Sequence, residues 1–326
     1  MDPSSLNGDK PFLSIIMPVF RGEKLIGEAL ESVASQISAR ERDKVEILIV
    51  DSSPDDATMA EVRRFAERLT LRPYTRADLP MWHAKTNFAA EEARADHLCW
   101  LHQDDLWLPG RMKAVQSWIA AAPEAPFHLA PSLFIGADGA ILGAWNCPID
   151  DEGPQPQEKF LRGLLVQNYI AAPAPVFRKD AWRRCGGLDE TLWYTADWDI
   201  WLKLAAQGEA WFHKDVATAF RVHGSSLTVN GSRDIADFVN QMRVVLERHI
   251  ALLPENSQRS IEPVSEASIL VNEAIARVSR GDPAALLRAI AVMMRLGPRG
   301  LGTYLHNSRI AERVGARVRA KMKGGM

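Results

Sequence analysis

Apolar runs alternate with helically spaced apolar positions along the first third of the chain. The β-branched run Phe12–Met17 predicts a buried strand that Pro18 ends, and residues 22–37 then show the apolar spacing of a helix. A second apolar run, Val45–Val50, predicts another buried strand that ends at Asp51. The same alternation predicts four more elements: a helix from Asp55 or Asp56 to about Leu69, a strand near 71–75, a helix over 84–94 and a strand over 97–101.

Polar residues follow three of these predicted strands. Strands that are apolar throughout, with helices between them, indicate a parallel sheet covered on both faces. Ligands of such sheets bind beyond the carboxyl ends of the strands. We therefore expect a binding site at this edge, formed by three groups: Pro18, Val19 and Phe20; Asp51; and Asp104 with Asp105.

The second half of the chain is less regular. Strands are expected at 127–134 and 140–145, paired as a hairpin around the turn Gly136–Gly139. Helices are then expected near 158–166, 179–184 and 198–206, and strands near 209–212 and 216–222. The remainder of the chain shows helical periodicity. Helices are expected there at about 233–251, 263–279, 283–295 and 303–321.

These elements predict an α/β fold class, with a mostly parallel sheet flanked by helices and a C-terminal helical region. A boundary is expected near residue 231, because Val229–Ser232 interrupt the periodicity. The predicted division is a disordered N-terminus over 1–10, an α/β domain over 11–231, and a helical region with a basic tail over 232–326.

Composition narrows the class of protein. The chain has 326 residues, of which 47% are hydrophobic and 25% charged, as expected for a globular protein with a sizeable core. A formal net charge of −2 argues against binding nucleic acid along the whole chain. The N-terminus has no signal-peptide core, and no apolar stretch approaches the roughly 18 residues of a spanning helix. We expect a cytoplasmic protein, soluble or attached peripherally to a membrane. The three separated cysteines do not suggest a zinc site.

Asp104 and Asp105 form the first acidic cluster. Adjacent carboxylates in a loop after a strand suit Mg²⁺ or Mn²⁺, which take carboxylate and phosphate oxygens as ligands. Such a cation would neutralise charge on a diphosphate leaving group. The alternative is that either residue caps a helix beginning near Leu108 and Pro109.

The second acidic cluster contains Asp197. This residue is either the N-cap of the helix that follows or a general base that takes a proton from an acceptor hydroxyl. Asp51 is either an ordinary turn former or an acceptor for a nucleotide's base or ribose. Taken alone, His223 is a surface or core histidine.

Six blocks in order make the chain similar to the family 2 glycosyltransferases with the GT-A fold. Their order and spacing agree over about residues 12–230. The blocks are Ser14–Phe20, Ile47–Ser53, Leu101–Trp107, Cys185–Glu190, Ala196–Leu202 and Arg221–Thr228.

The resemblance implies an inverting hexosyl- or deoxyhexosyltransferase that uses a nucleotide-diphosphate sugar and a divalent cation. It implies that Asp197 is the catalytic base and that Asp105 and His223 lie at the metal. The implied nucleotide-sugar residues are Pro18, Val19, Phe20, Asp51 and Asp104. The residues implied on the sugar and acceptor side are Gly187, Asp189 and Trp198. The family further implies a glycan or lipid-linked acceptor and a role in surface polysaccharide or glycolipid synthesis.

Three positions depart from the family pattern. His102 and Ala196 stand where the family often has acidic residues, and Thr86 stands where it usually has Arg. The alternatives are a non-catalytic module that binds nucleotide sugars, and a nucleotidyltransferase. A nucleotidyltransferase is expected to have a glycine-rich loop after its first strand, and Arg21–Lys24 is a poor substitute for that loop.

The last predicted helix carries several arginines among apolar residues. Either it packs on the rest of the protein with a solvated basic face, or it meets anionic lipid at a membrane surface. The second alternative would bring the enzyme to a lipid-linked acceptor.

Overall fold

A computed structural model describes residues 10–224 and 234–322. The strands are β1 (Leu13–Val19), β2 (Val45–Asp51), β3 (Thr70–Thr75), β4 (His97–Trp100), β5 (Leu106–Trp107), β6 (Phe127–Leu129), β7 (Ser132–Ile135), β8 (Ile141–Trp145), β9 (Gly153–Gln155), β10 (Val176–Arg178), β11 (Ala210–Phe212) and β12 (Thr218–Arg221). The helices are α1 (Ile26–Ala34), α2 (Ala57–Arg63), α3 (Trp82–Glu92), α4 (Arg111–Ala121), α5 (Gln157–Val166), α6 (Lys179–Arg184), α7 (Ala196–Ala205), α8 (Ile235–His249), α9 (Glu255–Ser279), α10 (Ala284–Arg295), α11 (Gly297–Ser308) and α12 (Ile310–Met322).

An eight-stranded sheet, in the order β3-β2-β1-β4-β10-β6-β11-β9, forms the centre of the protein. The first four strands in this order are parallel, as the apolar runs predict, and β10 is antiparallel to β4. Val19 pairs with Asp51, so the ends of β1 and β2 lie side by side. The predicted α/β fold with a mostly parallel sheet is confirmed.

A second, four-stranded sheet has the order β5-β12-β7-β8. It contains the predicted hairpin, since β7 and β8 are antiparallel neighbours. The single strand expected at 127–134 was wrong, however, because β6 and β7 belong to different sheets. Pro131 lies between them and has no N–H for a ladder hydrogen bond. The sequence analysis did not predict the short strands β5, β9 and β10, because two or three residues are too few to show a repeating pattern of apolar positions.

The C-terminal helices pack on the α/β portion. Leu164 and Leu165 of α5 share one apolar core with Ile261 and Ile269 of α9. Helix α9 begins earlier than predicted, because Pro263 lies inside it rather than at its start. The last predicted helix is two helices, which meet at Arg309 with a left-handed φ of 47°. Asp234 caps α8 by accepting hydrogen bonds from the N–H groups of Ala236 and Asp237.

The expected boundary near residue 231 lies outside the described residues, as do nine of the ten residues expected to form a disordered N-terminus. Within 10–224 and 234–322, no helix has both the length and the apolarity that crossing a bilayer requires.

Candidate active site

The loops after β1, β2 and β4 are tied together by hydrogen bonds. After β2, Asp51 is buried and accepts hydrogen bonds from the N–H (2.9 Å) and hydroxyl (2.6 Å) of Ser53. The Ser53 oxygen in turn accepts the Arg21 N–H at 2.7 Å. On the other side, the Phe20 N–H donates to Gln103 Oε1 at 2.8 Å, and Gln103 Nε2 donates to the Phe20 carbonyl at 3.1 Å. The three strand ends converge as predicted.

Lys85 of α3 reaches the same edge. Its Nζ donates to the carbonyl of Val19 and lies 5.7 Å from the centre of the Phe20 ring. Burial lowers the pKa of Lys85 to about 8, although the Asp51 carboxylate acts in the opposite direction. The sequence analysis named the next residue, Thr86, as a departure from the family pattern and gave Lys85 no role. A buried lysine on a helix gives little signal, since charged helix positions are usually solvated.

Arg221 holds the first acidic cluster in place. It ends β12, which pairs with β5 directly after this cluster. Its N–H donates to Asp105 Oδ1 at 3.0 Å, and its guanidinium donates to the Asp104 carbonyl at 2.7 Å and to Glu28 Oε2 at 2.7 Å. The guanidinium also donates to the carbonyl of Gly136 at 3.1 Å. Sequence reasoning gave Arg221 no role, although an arginine in an apolar strand was a usable signal.

Asp104 and Asp105 do not cap a helix. Helix α4 begins at Arg111, after Gly110 with a left-handed φ of 93°, so the capping alternative near Leu108 was wrong. Asp104 Oδ2 instead lies 2.8 Å from His223 Nε2. Burial opposes ionisation of Asp104, but His223 and His102 bring its pKa below the ordinary value. Burial, followed by the charge of Asp104, raises the pKa of Asp105 to about 6.

The acidic loop has one carboxylate oxygen suited to a cation. Asp105 Oδ2 is enclosed and has no hydrogen-bond partner in the described part of the chain. His102 Nδ1 is 3.7 Å away, beyond hydrogen-bonding distance. Within residues 10–224 and 234–322, no three His, Cys, Asp or Glu side chains converge as a complete metal cage. Two carboxylates with oxygens from a bound phosphate would fit Mg²⁺ or Mn²⁺, which rarely rely on protein ligands alone.

Asp197 is the second residue of α7, after the N-cap Thr195, so the N-cap alternative for Asp197 was wrong. Its Oδ1 accepts the Trp198 N–H at 2.7 Å, and its Oδ2 accepts a hydrogen bond from Asn168 Nδ2 at 3.0 Å. Burial raises the pKa of Asp197 to about 6, which these hydrogen bonds partly oppose. At neutral pH the carboxylate is therefore mostly ionised and able to accept a proton.

Both acidic clusters act electrostatically on His102. Burial opposes protonation of His102, yet Asp105, Asp104 and Asp197 together raise its pKa above the ordinary value. The two carboxylates of the loop after β4 and the Asp197 carboxylate of α7 therefore act on one imidazole. This electrostatic coupling joins the rim of the sheet to Asp197 in a single site.

Asp197 also lines a pocket of about 130 Å³. Its walls include Asn168, Trp145 and Phe220, together with Arg313 and Arg317 of α12. The sequence analysis placed the basic face of the last predicted helix either in solvent or against lipid. Two basic residues four positions apart share one face of a helix, but their spacing does not show what that face contacts.

Of the three residues predicted on the sugar and acceptor side, Trp198 lines this pocket, whereas Gly187 and Asp189 are not among its lining residues. Gly187 has a φ of 71°, and a Cβ there would lie 2.7 Å from Asn87 Oδ1, so the loop requires glycine. Asp189 pairs with Arg248 at 2.9 Å. Trp198 is buried and donates from Nε1 to the Leu164 carbonyl at 2.8 Å, and only part of it lines the pocket.

Comparison with known proteins relates this chain to glycosyltransferases. Residues 14–134 match the family described as Glycosyl transferase family 2. The uncharacterized glycosyltransferase RT0329 of Rickettsia typhi is 21% identical, over 71% of this chain and 70% of the relative. An uncharacterized glycosyltransferase of Rickettsia felis is 22% identical over 77% of this chain, which spans only 40% of that relative.

Two solved structures share the fold. Residues 1–349 of S. aureus TarS in complex with UDP superpose with a TM-score of 0.60 at 18% identity, covering 92% of this chain and 90% of that chain. The mannosyltransferase PcManGT of Pyrobaculum calidifontis, in complex with GDP-Man and Mn²⁺, gives a TM-score of 0.53 at 19% identity, covering 96% and 88%. The family 2 match over residues 14–134 and the fold shared with solved glycosyltransferases relate this chain to the glycosyltransferases of the GT-A fold.

Proposed function

We propose that the protein transfers a sugar from a nucleotide-diphosphate sugar to an acceptor hydroxyl, with inversion at the anomeric carbon. The observation that carries this proposal is Asp197, an ionisable carboxylate in a pocket wall that is coupled through His102 to the Asp104 and Asp105 loop. Single displacement requires a base on one side of the donor sugar and, on the other side, a loop that neutralises the charge of the leaving group.

The nucleotide would bind at the rim of the sheet. The Asp51 carboxylate and the backbone of Pro18, Val19 and Phe20 would hold the base and ribose, and the exposed Phe20 ring offers a stacking surface. The similarity to TarS, solved with UDP and with UDP-GlcNAc, and to PcManGT, solved with GDP-Man, supports a nucleotide-sugar donor without selecting one.

Asp104 and Asp105 would hold Mg²⁺ or Mn²⁺, with His223 beside Asp104. When bound, the cation would neutralise charge on the departing diphosphate. Arg221 contributes by donating its N–H to the Asp105 carboxylate and its guanidinium to the backbone carbonyl of Asp104, which fixes the loop. The enclosed Oδ2 of Asp105 lacks another partner among the described residues and is the oxygen left for the cation, whereas Oδ1 accepts the Arg221 N–H.

Asp197 would act as the general base. The acceptor oxygen attacks the anomeric carbon from the face opposite the diphosphate, and a new C–O bond forms as the bond to the diphosphate oxygen breaks. The bonding electrons leave with the nucleoside diphosphate, and the acceptor proton moves to Asp197. Asn168 orients the carboxylate through its hydrogen bond to Oδ2. A single displacement of this kind inverts the anomeric configuration.

The decisive experiment is calorimetric titration of UDP, dTDP, GDP and CDP, with and without Mn²⁺. We expect one nucleotide to bind in a metal-dependent manner, and Asp105→Ala to lose that dependence. Asp150→Ala is the control, because it removes an exposed carboxylate outside the site. Failure of every nucleotide to bind would overturn the proposal. Release of free sugar from the donor in the absence of acceptor would exclude a non-catalytic module, and release of pyrophosphate would instead indicate a nucleotidyltransferase.

We further propose a glycan or lipid-linked acceptor, in surface polysaccharide or glycolipid synthesis, with peripheral membrane contact. Exposed apolar residues concentrate on α10, where Leu287 is 71% and Met294 73% exposed, beside the basic Arg288 and Arg295. An apolar face flanked by basic residues suits an anionic membrane surface. Co-sedimentation with phosphatidylglycerol vesicles should fall for Leu287→Asp and not for Ile141→Asp. Equal sedimentation of both variants and the wild type would contradict this contact.

A further inference from the structure

Arg313 and Arg317 form a pair of guanidinium groups in the wall of the pocket beside Asp197. They lie four positions apart, and therefore on one face of α12, and both line the pocket. The buried Ala316 and Ala320 pack the helix against the small sheet beside the pocket. The pair is thus presented to the interior by the way the helix packs.

Two neighbouring arginines, Arg309 and Arg319, have protein partners. Arg309 pairs with Glu312, and Arg319 donates to the carbonyl of Leu142. Arg313 differs, since its Nη2 donates to Asn272 Oδ1 at 3.1 Å while its Nη1 is enclosed without a hydrogen-bond partner. Across the described ranges, neither Arg313 nor Arg317 forms an ion pair with a carboxylate.

Two adjacent cations without a carboxylate are costly to enclose. Burial, together with the charge of Arg317, lowers the pKa of Arg313 to about 10, so the group remains protonated at neutral pH. Enclosed charges normally have a partner of opposite sign that also satisfies their hydrogen bonds. A phosphate or carboxylate entering the pocket would supply both, because guanidinium donors match the geometry of such anions.

We propose that Arg313 and Arg317 bind an anionic group of the acceptor and thereby direct the acceptor hydroxyl to Asp197. This inference rests on the proposed function and adds the substrate class: a glycan, polyol or lipid that carries a phosphate or carboxylate. The aromatic wall beside the pair, where Trp145 stacks on Phe134 at 4.6 Å, provides a surface for the uncharged part of the acceptor.

The position of the pair favours the acceptor over the donor. The pocket wall contains Asp197, Asn168 and both arginines, whereas the loops of Asp51 and of Asp104 with Asp105 do not contribute to it. A diphosphate held at the acidic loop would therefore lie outside the pocket that contains these arginines. An in-line displacement needs such a separation, with the acceptor and the leaving group on opposite faces of the sugar.

The first test is binding of inorganic phosphate to the full chain by calorimetry, with glycerol 3-phosphate as a second probe. We expect Arg317→Gln and Arg313→Gln each to weaken binding by about tenfold or more, since each loses a charge-assisted hydrogen bond. Arg317→Lys should restore part of it. Arg299→Gln is the matched control, because it removes one positive charge from the exposed surface of α11 and should change nothing.

The same variants separate the acceptor from the donor. Nucleotide affinity in the presence of Mn²⁺ should be unchanged in Arg317→Gln. If it falls together with phosphate affinity, the arginines serve the donor diphosphate and the inference is wrong. Phosphate that fails to bind the wild type, or that binds Arg317→Gln equally well, also overturns it. These outcomes are independent of turnover, so failure of the proposed function would be seen separately in the nucleotide titration.

Transfer assays then identify the source of the anionic group. Matched acceptors should show a preference for glycerol 3-phosphate over glycerol and for glucose 6-phosphate over glucose if the anion belongs to a soluble acceptor. Binding to phosphatidylglycerol vesicles that depends on Arg317, with no such binding to phosphatidylcholine, would instead assign it to a lipid phosphate. A KM raised in Arg317→Gln with kcat little changed is the expected kinetic signature of acceptor binding.

Discussion

The rim of the sheet and the wall of the pocket beside Asp197 are built in different ways. At the rim, the residues predicted from sequence lie at or soon after the ends of strands, and Ser53 and Gln103 tie the neighbouring loops together through short hydrogen bonds. In the pocket wall, Asn168, Asp197 and Arg317 come from separate helices and loops that meet only through tertiary packing. The rim is therefore a local product of the parallel sheet, and the pocket wall is a product of the whole fold.

This difference matches the division of labour in the proposed reaction. The rim would bind the part of the substrate that all nucleotide-sugar enzymes share, a nucleoside diphosphate with its cation. The pocket wall would bind the acceptor, and helices appended to a sheet can vary there without disturbing the rim. Variants in the two regions should therefore affect different substrates.

The largest expected effect is at Asp197, which lies between the two regions. Asp197→Asn retains the shape and keeps one of the two accepted hydrogen bonds, from Trp198 or from Asn168, but removes the base, so turnover should fall by about 10²–10⁴-fold. Nucleotide binding should be unchanged, which calorimetry on the same sample would measure. Asp199→Asn is not a suitable control, because Asp199 is buried and pairs with Arg248 and His249. Turnover within a few-fold of the wild type would remove Asp197 from the mechanism.

The next effect concerns the rim itself. Arg221→Met leaves three carbonyl groups without their donor, and an unsatisfied buried acceptor costs about 1–3 kcal/mol, whereas the half-exposed Glu28 carboxylate is solvated and adds little. We expect a lower Tm and a matching loss in the free energy of unfolding measured with urea. Arg299→Gln should stay within about 0.5 kcal/mol of the wild type. If Arg221→Met is equally stable, the network around the acidic loop does not hold the rim.

The rim could be predicted from sequence because its signals are local. The apolar runs before Pro18 and Asp51 predict strands, and parallel strands place their ends at one edge. The same reasoning could not find Lys85 or Arg221, since each reaches the site from an element whose pairing has no short-range signal. Arg313 and Arg317 were seen only as a basic helical face, because the side of a helix that packs inward is decided by its neighbours. The break at Arg309 was likewise missed, since an arginine with a left-handed φ is uncommon.

A smaller effect is expected in the pH dependence of activity, whose acid limb depends on Asp197 in the pocket wall. A carboxyl group with a pKa raised to about 6 is protonated below that pH and then cannot accept a proton. Activity should therefore fall to about half between pH 7.5 and pH 6 and by about tenfold for each further pH unit. The titratable and charged groups around Asp197 are His102, Tyr194, Arg313 and Arg317. Activity that is flat down to pH 4.5 would contradict a base with this pKa.

The smallest expected effect is a shift of that acid limb in Asn168→Ala. Asn168 donates to Asp197 Oδ2 at 3.0 Å, and this hydrogen bond favours the ionised carboxylate. Without it the pKa of Asp197 should rise, and the acid limb should move to higher pH by about one unit, the equivalent of about 1.4 kcal/mol. The plateau at high pH should be nearly preserved, because the base is ionised there in both proteins. A uniform loss at every pH would mean that Asn168 positions the acceptor and leaves the proton affinity of Asp197 unchanged. Phosphate binding through Arg317 should be intact in this variant, since that site lies across the pocket on α12.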